Sequence, residues 1–408
     1  MKINAALLGQ LLLAGVLTAC VDTGTDLAEG GMSGTGISVG AITGFGSIYV
    51  NGIHFNVDQA DFIRNGASVG SQDSFNLGEL VTVTGSINAD GTSGVATSVD
   101  FESLINGEVT AVSSDNRSVV IMGQHVRTDQ LTVLHGIEQL SELALGNMAG
   151  VSGTRDAQGV IQASSIQWLG TRFDTTSSAL EVQGTISGLS TTEQRFQLDQ
   201  LVIDYTQASL PDTPLANGLH VRVQSRQALQ NGQIVAARIT LPEQHQFPKD
   251  SQVELEGLVT VLESWQHFQL DRQWVLTDDS TRFIDLQPDS IQLNDSLEVE
   301  GAINADGVLL ASRIKPGRTR NDDAYQRVNG TIEAINLSSR TLQVSGLTLL
   351  VDNTSMLLGD PLDGRHHQSL TLEQLAVGES VQIRADADSN GNLRVLRLER
   401  RTSQAPLR

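Results

Sequence analysis

Cysteine is almost missing from this chain of 408 residues: Cys20 is the only one. No disulfide can form within the chain, so its folds must rest on apolar burial. Aromatic residues are scarce, at 4%, too few for the aromatic girdles of an outer-membrane barrel. Positive charge is scarce as well: 26 Lys and Arg face 47 Asp and Glu, a net charge of −21. Phosphate binding needs concentrated Lys and Arg, so this balance argues for no nucleic acid among the partners. Calcium and cationic partners stay compatible with it. Beyond the first residues, no apolar run approaches the ~20 residues of a transmembrane helix.

What is present begins with a secretory design. Lys2 supplies a small positive start, residues 5–16 are apolar, and small residues precede Cys20. The ending Leu17-Thr18-Ala19-Cys20 resembles the lipobox of bacterial lipoproteins. The resemblance implies a signal peptide over residues 1–20, cleavage before Cys20, and lipidation of its thiol. The membrane, through the lipid anchor, is then a partner. Val21 rather than Asp after the cysteine implies sorting to the outer membrane. Residues 21–36 are rich in Gly, Thr and Asp and read as a flexible tether.

The rest of the chain repeats itself at intervals of about 70 residues. A Gly-x-(Ile/Val) start recurs at Gly40, Gly107, Gly184, Gly257 and Gly330, each followed by an alternating hairpin and a second alternating pair of segments. Asn51-Gly52 is a strong type I′ turn signal. It sets Val50 opposite Ile53 and Ile48 opposite Phe55 on a core face, with Tyr49 and His54 on the other. Ser345-Gly346 repeats the design with Val344 opposite Leu347, and Asp199-Gln200 with Leu198 opposite Leu201. In the fourth repeat strict alignment would bury Gln273, so a turn longer by one residue at Asp271, with Trp274 and Leu276 inward, is expected. Leu140, Leu143 and Leu145, and Leu370, Leu372 and Leu375, mark short helical turns before the fourth strand. The fold class expected is all-β: tandem small five-stranded barrels, OB-like, joined by short linkers with mobile junctions. The units run over residues 37–103, 104–169, 180–243, 251–316 and 326–401, with linkers at 169–178, 243–250 and 316–324.

The string Gly44-Phe45-Gly46-Ser47-Ile48-Tyr49-Val50-Asn51-Gly52 and the later Leu77-Gly78-Glu79-Leu80-Val81-Thr82-Val83 resemble bacterial proteins carrying the domain of unknown function 5666. Those proteins are secreted or lipid-anchored, with such domains in tandem. The other units match in pattern without the Gly-Phe-Gly-Ser signature. The resemblance implies architecture and location, and no catalytic residue comes with it.

Candidate chemistry is sparse. Residues 36–40 match GxSxG around Ser38, but no helix follows, and a glycine-rich chain produces such a match by chance. Asp386, Asp388 and Asn390 open like a calcium loop, yet the twelfth position is Arg397 rather than a bidentate Glu. A hairpin turn accounts for the segment, and a weak calcium site stays open as the alternative. The eight histidines show no ligand spacing, and adjacent His366 and His367 read as loop residues. Trp265 and Trp274 are either core and rim residues or a stacking platform for carbohydrate. Arg394, Arg397, Arg400 and Arg401 read as a solvated strand edge that resists pairing, with contact to an anionic envelope component as the sharper alternative. No cofactor motif and no constellation of nucleophile, base and orienting group is found. The chain reads as a non-catalytic, multi-repeat binding or scaffold protein of the cell envelope, with an envelope glycan or protein as partner. The alternatives are a hydrolase with a site at a repeat junction and a carbohydrate binder using the fourth repeat.

Cells fed a clickable fatty acid should label this protein, and Cys20→Ala should abolish the label. Equal labelling of the two would rule out the anchor.

Overall fold

The computed structural model describes residues 34–401 except 177, 243–246, 319–324, 362–365 and 388–390. Cys20, the signal segment and most of the tether lie outside these residues. Gly34 to Gly36, expected in the tether, already belong to the strand Gly34–Phe45. The chain is all-β, a tandem array of small barrels. Its helical content among the described residues is single 3-10 turns such as Leu140–Glu142 and Leu372–Gln374.

Unit one shows the plan. The first half of Gly34–Phe45 pairs with Leu80–Ile87, and its second half with Ile48–Val50. The hairpin continues to Ile53–Asn56, which runs parallel to Ser93–Phe101. Leu80–Ile87 pairs with that last strand and closes the barrel. Alternation decides which side chains turn inward: Val81, Val83 and Ile87 are buried, while Thr82, Thr84 and Ser86 face outward.

Two glycine positions explain why the repeat recurs. The first lies under the hairpin turn. The turn residues Asn51, Met122, Asp199, Asp271 and Ser345 all adopt positive φ, between 48° and 51°. A Cβ on Gly40, Gly107, Gly257 or Gly330 would collide with the side chain of Asn51, Met122, Asp271 or Ser345 respectively. The turn residue then anchors to the opening strand. The Asn51 amide donates to the Val39 carbonyl at 3.0 Å, the Leu258 amide donates to Asp271 Oδ1 at 3.0 Å, and Ser345 Oγ donates to the Asn329 carbonyl at 3.0 Å. The second position sits at a β-bulge. Register slips by one residue at Gly85, Gly153 and Gly301, each opposite a bulge in the closing strand. A Cβ there would strike the carbonyl oxygen of Val95, Gln162 or Leu310. Unit five keeps the slip with Ala385 in that place.

The hairpin registers expected at Asn51-Gly52, Asp199-Gln200 and Ser345-Gly346 are those observed. Unit four differs from expectation. It keeps the strict two-residue turn, with Leu270 opposite Gln273 and Phe268 opposite Val275. Gln273 escapes burial at the barrel end, where its amide donates to the Gly307 carbonyl at 2.8 Å. Trp274 and Leu276 consequently face away from the core that Phe268 and Val275 fill. Leu145 departs too, at 70% exposure, although Leu140 and Leu143 are buried.

The units are not beads on mobile junctions. The opening strand of unit one runs parallel to Gln252–Ser264 of unit four, from Gly36 opposite Gln252 to Val39 opposite Leu255. Units two and three join through Ile105–Val112 and Leu180–Thr185, with Ile105 opposite Val182. Val133 of unit two and Met356 and Leu358 of unit five complete the core of unit one. Leu396 is the bulged residue opposite the slip at Ala385, and it packs outside its own barrel against Leu131 and Tyr325. A bulge has re-aimed a side chain into a unit interface.

Gly85→Ala should destabilise unit one by about 1–3 kcal/mol, as overpacking does. Gly70→Ala, at a position with open space around it, should change little. Thermal melts of the two variants that coincide would refute the role given to the bulge glycine.

Candidate functional sites at the unit junctions

A polar assembly lies where units one, two and three meet. Arg222 is buried. Its Nε donates to Glu181 Oε1 at 2.9 Å, one terminal nitrogen to Glu102 at 3.0 Å, and the other to Asn65 Oδ1 at 2.9 Å. Ser103 Oγ donates to Glu181 at 3.0 Å. Breaking such a buried pair costs roughly 3–5 kcal/mol, because the remaining charge is stranded. Three of these four hydrogen bonds cross between units three and one, so the assembly is a structural hub.

A second assembly spans units one and four. Ser38, the serine of the GxSxG match, is fully buried in the opening strand. It accepts a hydrogen bond from Asn51 at 3.1 Å and donates to Glu254 at 3.4 Å. With a strand on either side and an acid and an amide as neighbours, this is no nucleophile elbow. Glu254 lies with Glu298 and Glu300 close enough to hold a cation. Arg313 pairs with Glu300, and Lys315 with Glu298 at 3.0 Å, so side-chain cations already serve the group. Burial, and then the neighbouring Glu298, push Glu254 well above the usual carboxylate range. The other two carboxylates, Glu298 and Glu300, are each matched by a cation, Lys315 and Arg313.

The third assembly joins units two and five and corrects the reading of the histidines. His366 and His367 meet His135, with ring centroids 6.3 and 5.9 Å from it. His135 Nε2 bonds the Leu77 carbonyl at 2.8 Å. Its Nδ1 is buried without a partner among the described residues. Burial, then His367, His366 and Arg397, lower the His135 pKa to about 3 against the hydrogen bond to Leu77. The ring is therefore neutral, and Nε2 carries the proton that Leu77 accepts.

Among residues singled out from sequence, Trp265 sits half-buried at the rim of the unit four core, edge-on to Phe283 at 6.0 Å. Trp274 is partly covered by His267, stacked at 4.4 Å. Tyr49 and His54 form a like stack at 4.3 Å on the outer face of unit one. Asp386 is engaged by Arg394 at 3.0 Å, and Asp388 and Asn390 lie outside the described residues. The edge explanation for the last arginines fails. Leu393–Arg401 is flanked on both sides, by Ser380–Ala387 and by Leu347–Leu350 and Met356–Pro361. The junction assemblies gave no local signal in the sequence. Asn65 and Arg222 are 157 positions apart, and Ser38 and Glu254 are 216 apart.

The His135 geometry carries a pH dependence. A folded-state pKa held below the unfolded value of 6.5 gives stability that is present above 6.5 and lost as pH falls toward about 3. Between about pH 7 and about pH 5 this amounts to about 2 kcal/mol. His135→Gln, which keeps a donor for Leu77, should flatten that limb of a plot of Tm against pH. Parallel curves for variant and wild type would refute it.

Weak likenesses to solved structures include the following two. One is a multidomain protein with nucleic acid binding domains from Streptococcus pneumoniae: 12% identity, 53% of this chain and 72% of that chain covered, TM-score 0.14. The other is Drosophila Unr CSD456: 14% identity, 54% and 97% covered, TM-score 0.15. The expectation that struck nucleic acid from the partners is corrected here, since the streptococcal protein is described by its nucleic acid binding domains. Net charge is an average over the chain and does not decide a local surface. At these scores the likenesses carry no function across either. No curated protein sequence matches the chain. The family described as Domain of unknown function (DUF5666) matches residues 38–100, 106–167, 256–315 and 329–399, with the third unit lying between the second and third of these stretches. Four repeats covering more than half of its length make this chain a member of the DUF5666 family.

Proposed function

We propose that the chain is a non-catalytic scaffold of the bacterial cell envelope, a multi-barrel platform anchored through Cys20 at the outer membrane. The observation that carries this reading is the fusion of the units. The parallel pairing of units one and four and the antiparallel pairing of units two and three hold the barrels in fixed relation. Fixed relation suits a platform that presents several surfaces at once, and tandem modules so arranged gain avidity without one strong site. At the junctions of unit one with units three and four, where a hydrolase would need its cleft, an ion pair and hydrogen bonds cross between the units instead. Ser38 is buried and His54 is stacked on Tyr49, which supports the non-catalytic reading over a hydrolase using either residue.

Small-angle scattering of the mature chain should give a radius of gyration near that of one compact body, roughly 20–25 Å. A much larger value would return the chain to flexible beads. A broad esterase and glycosidase screen tests the other half of the proposal, and turnover abolished by one side-chain substitution would overturn it.

A further inference from the structure

The last sheet holds a row of like charges in a chain that is otherwise acidic. Arg327 on Gln326–Asn336 is the register partner of Arg384 on Ser380–Ala387, and Arg384 is the register partner of Arg397 on Leu393–Arg401. Directly opposed residues put their side chains on one face, with neighbouring Cα atoms about 4.5–5.5 Å apart. Three guanidinium groups thus form a rank about 10 Å long. Like charges directly opposite each other destabilise a sheet, so the rank asks for a compensating charge.

The flanking members are held by uncharged groups of unit two. Arg327 Nε donates to Gln130 Oε1 at 2.7 Å, and Arg397 donates to the carbonyls of Gln130 and Thr132 at 3.3 and 2.7 Å. Glu399 lies 3.6 Å from Arg397 and 3.5 Å from Arg401. Arg384, in the middle, has no such support. Its hydrogen bond is a long one, 3.3 Å, to the adjacent Ile383 carbonyl, and its Nε is buried with no partner among the described residues. Burial, Arg327, Arg397 and Arg401 all act against its charge, with Glu399 alone acting for it. The rank is open to solvent on one flank, where Arg327 is exposed.

We propose that Arg384, flanked by Arg327 and Arg397 and with Arg401 beside them, binds a phosphate-bearing anion. The planar fork of a guanidinium matches phosphate oxygens in pairs. The four guanidinium groups face Glu399 and, at Arg397, Asp129, and the excess of two positive charges calls for an anion of at least two negative charges. A diphosphate spans neighbouring rungs of the rank, and so does a doubly charged lipid headgroup. The position in the sheet excludes the edge-protection role that such arginines otherwise serve.

The test is calorimetric titration of inorganic pyrophosphate into the full chain. Saturable binding that weakens as salt is raised is expected, with Arg384→Gln reducing affinity about tenfold or more and Arg282→Gln, on an exposed site of unit four, leaving it unchanged. Without anion, Arg384→Gln should melt no lower than wild type, since it relieves repulsion. A lower Tm with unchanged affinity would assign Arg384 a structural role and overturn the site. So would the absence of saturable binding by the wild type. Arg384→Lys keeps the charge and loses the fork, so it reports on recognition if the Gln variant folds poorly; affinity equal to wild type in that variant would also count against the site. Vesicles containing an anionic phospholipid form the second arm. If they compete with pyrophosphate, the phosphate arrives on a lipid, and if they do not, it arrives free. A single-stranded oligonucleotide that binds while pyrophosphate does not would overturn the small-anion assignment in favour of nucleic acid.

Discussion

Four of the five barrels depend on one close approach: a hairpin turn laid across a glycine of the opening strand. Asn51 over Gly40, Asp271 over Gly257 and Ser345 over Gly330 share the geometry, a positive φ in the turn and a missing Cβ beneath it. Without that space the hairpin could not fold back, and the strand after it could not run parallel to the closing strand. Met122 occupies the same turn in unit two without an anchoring polar atom, and it fills the space over Gly107 with its own side chain. The constraint is steric, and the polar anchor is an addition to it.

Once closed, each barrel still has an outer face on its opening strand, and the molecule spends these faces on neighbouring units. Two pairs of opening strands join sheets, so edges that would invite pairing with other chains are satisfied internally. The outward side chains at these seams are charged or polar, which forces them into ionic hubs around Arg222 and Glu254. A buried ion pair adds little net stability over an apolar replacement, but a mispaired one costs several kcal/mol. Such hubs therefore discriminate between one arrangement of the barrels and its alternatives.

What the sequence made legible follows from the range of the interactions. Turn chemistry and two-residue alternation are local, so the hairpins at Asn51-Gly52 and Ser345-Gly346 could be read with their register. The unit four hairpin was misread because Gln273 was assigned to the core by alignment alone. The barrel end where its amide meets the Gly307 carbonyl is formed by residues 34 positions away. The three histidines show the same limit. Neighbours in sequence, His366 and His367 gain their meaning from His135, which belongs to another unit. Of the candidate residues, those whose role depends on a second unit were out of reach.

Charge makes the same point in electrostatic terms. The net charge of −21 describes the field far from the molecule. Inside a Debye length of about 10 Å, what counts is which side chains the sheet lines up. The register of three strands sets Arg327, Arg384 and Arg397 side by side, although they are scattered among an excess of acids in the sequence. Elsewhere the same register principle sets Glu254 opposite Glu300, and there Arg313 supplies the compensation from the next strand. The acidic rung is neutralised from within the fold, whereas Arg384 has no carboxylate bonded to it among the described residues. That asymmetry between two rungs of similar construction is the physical difference between a structural charge cluster and a surface still open to a ligand.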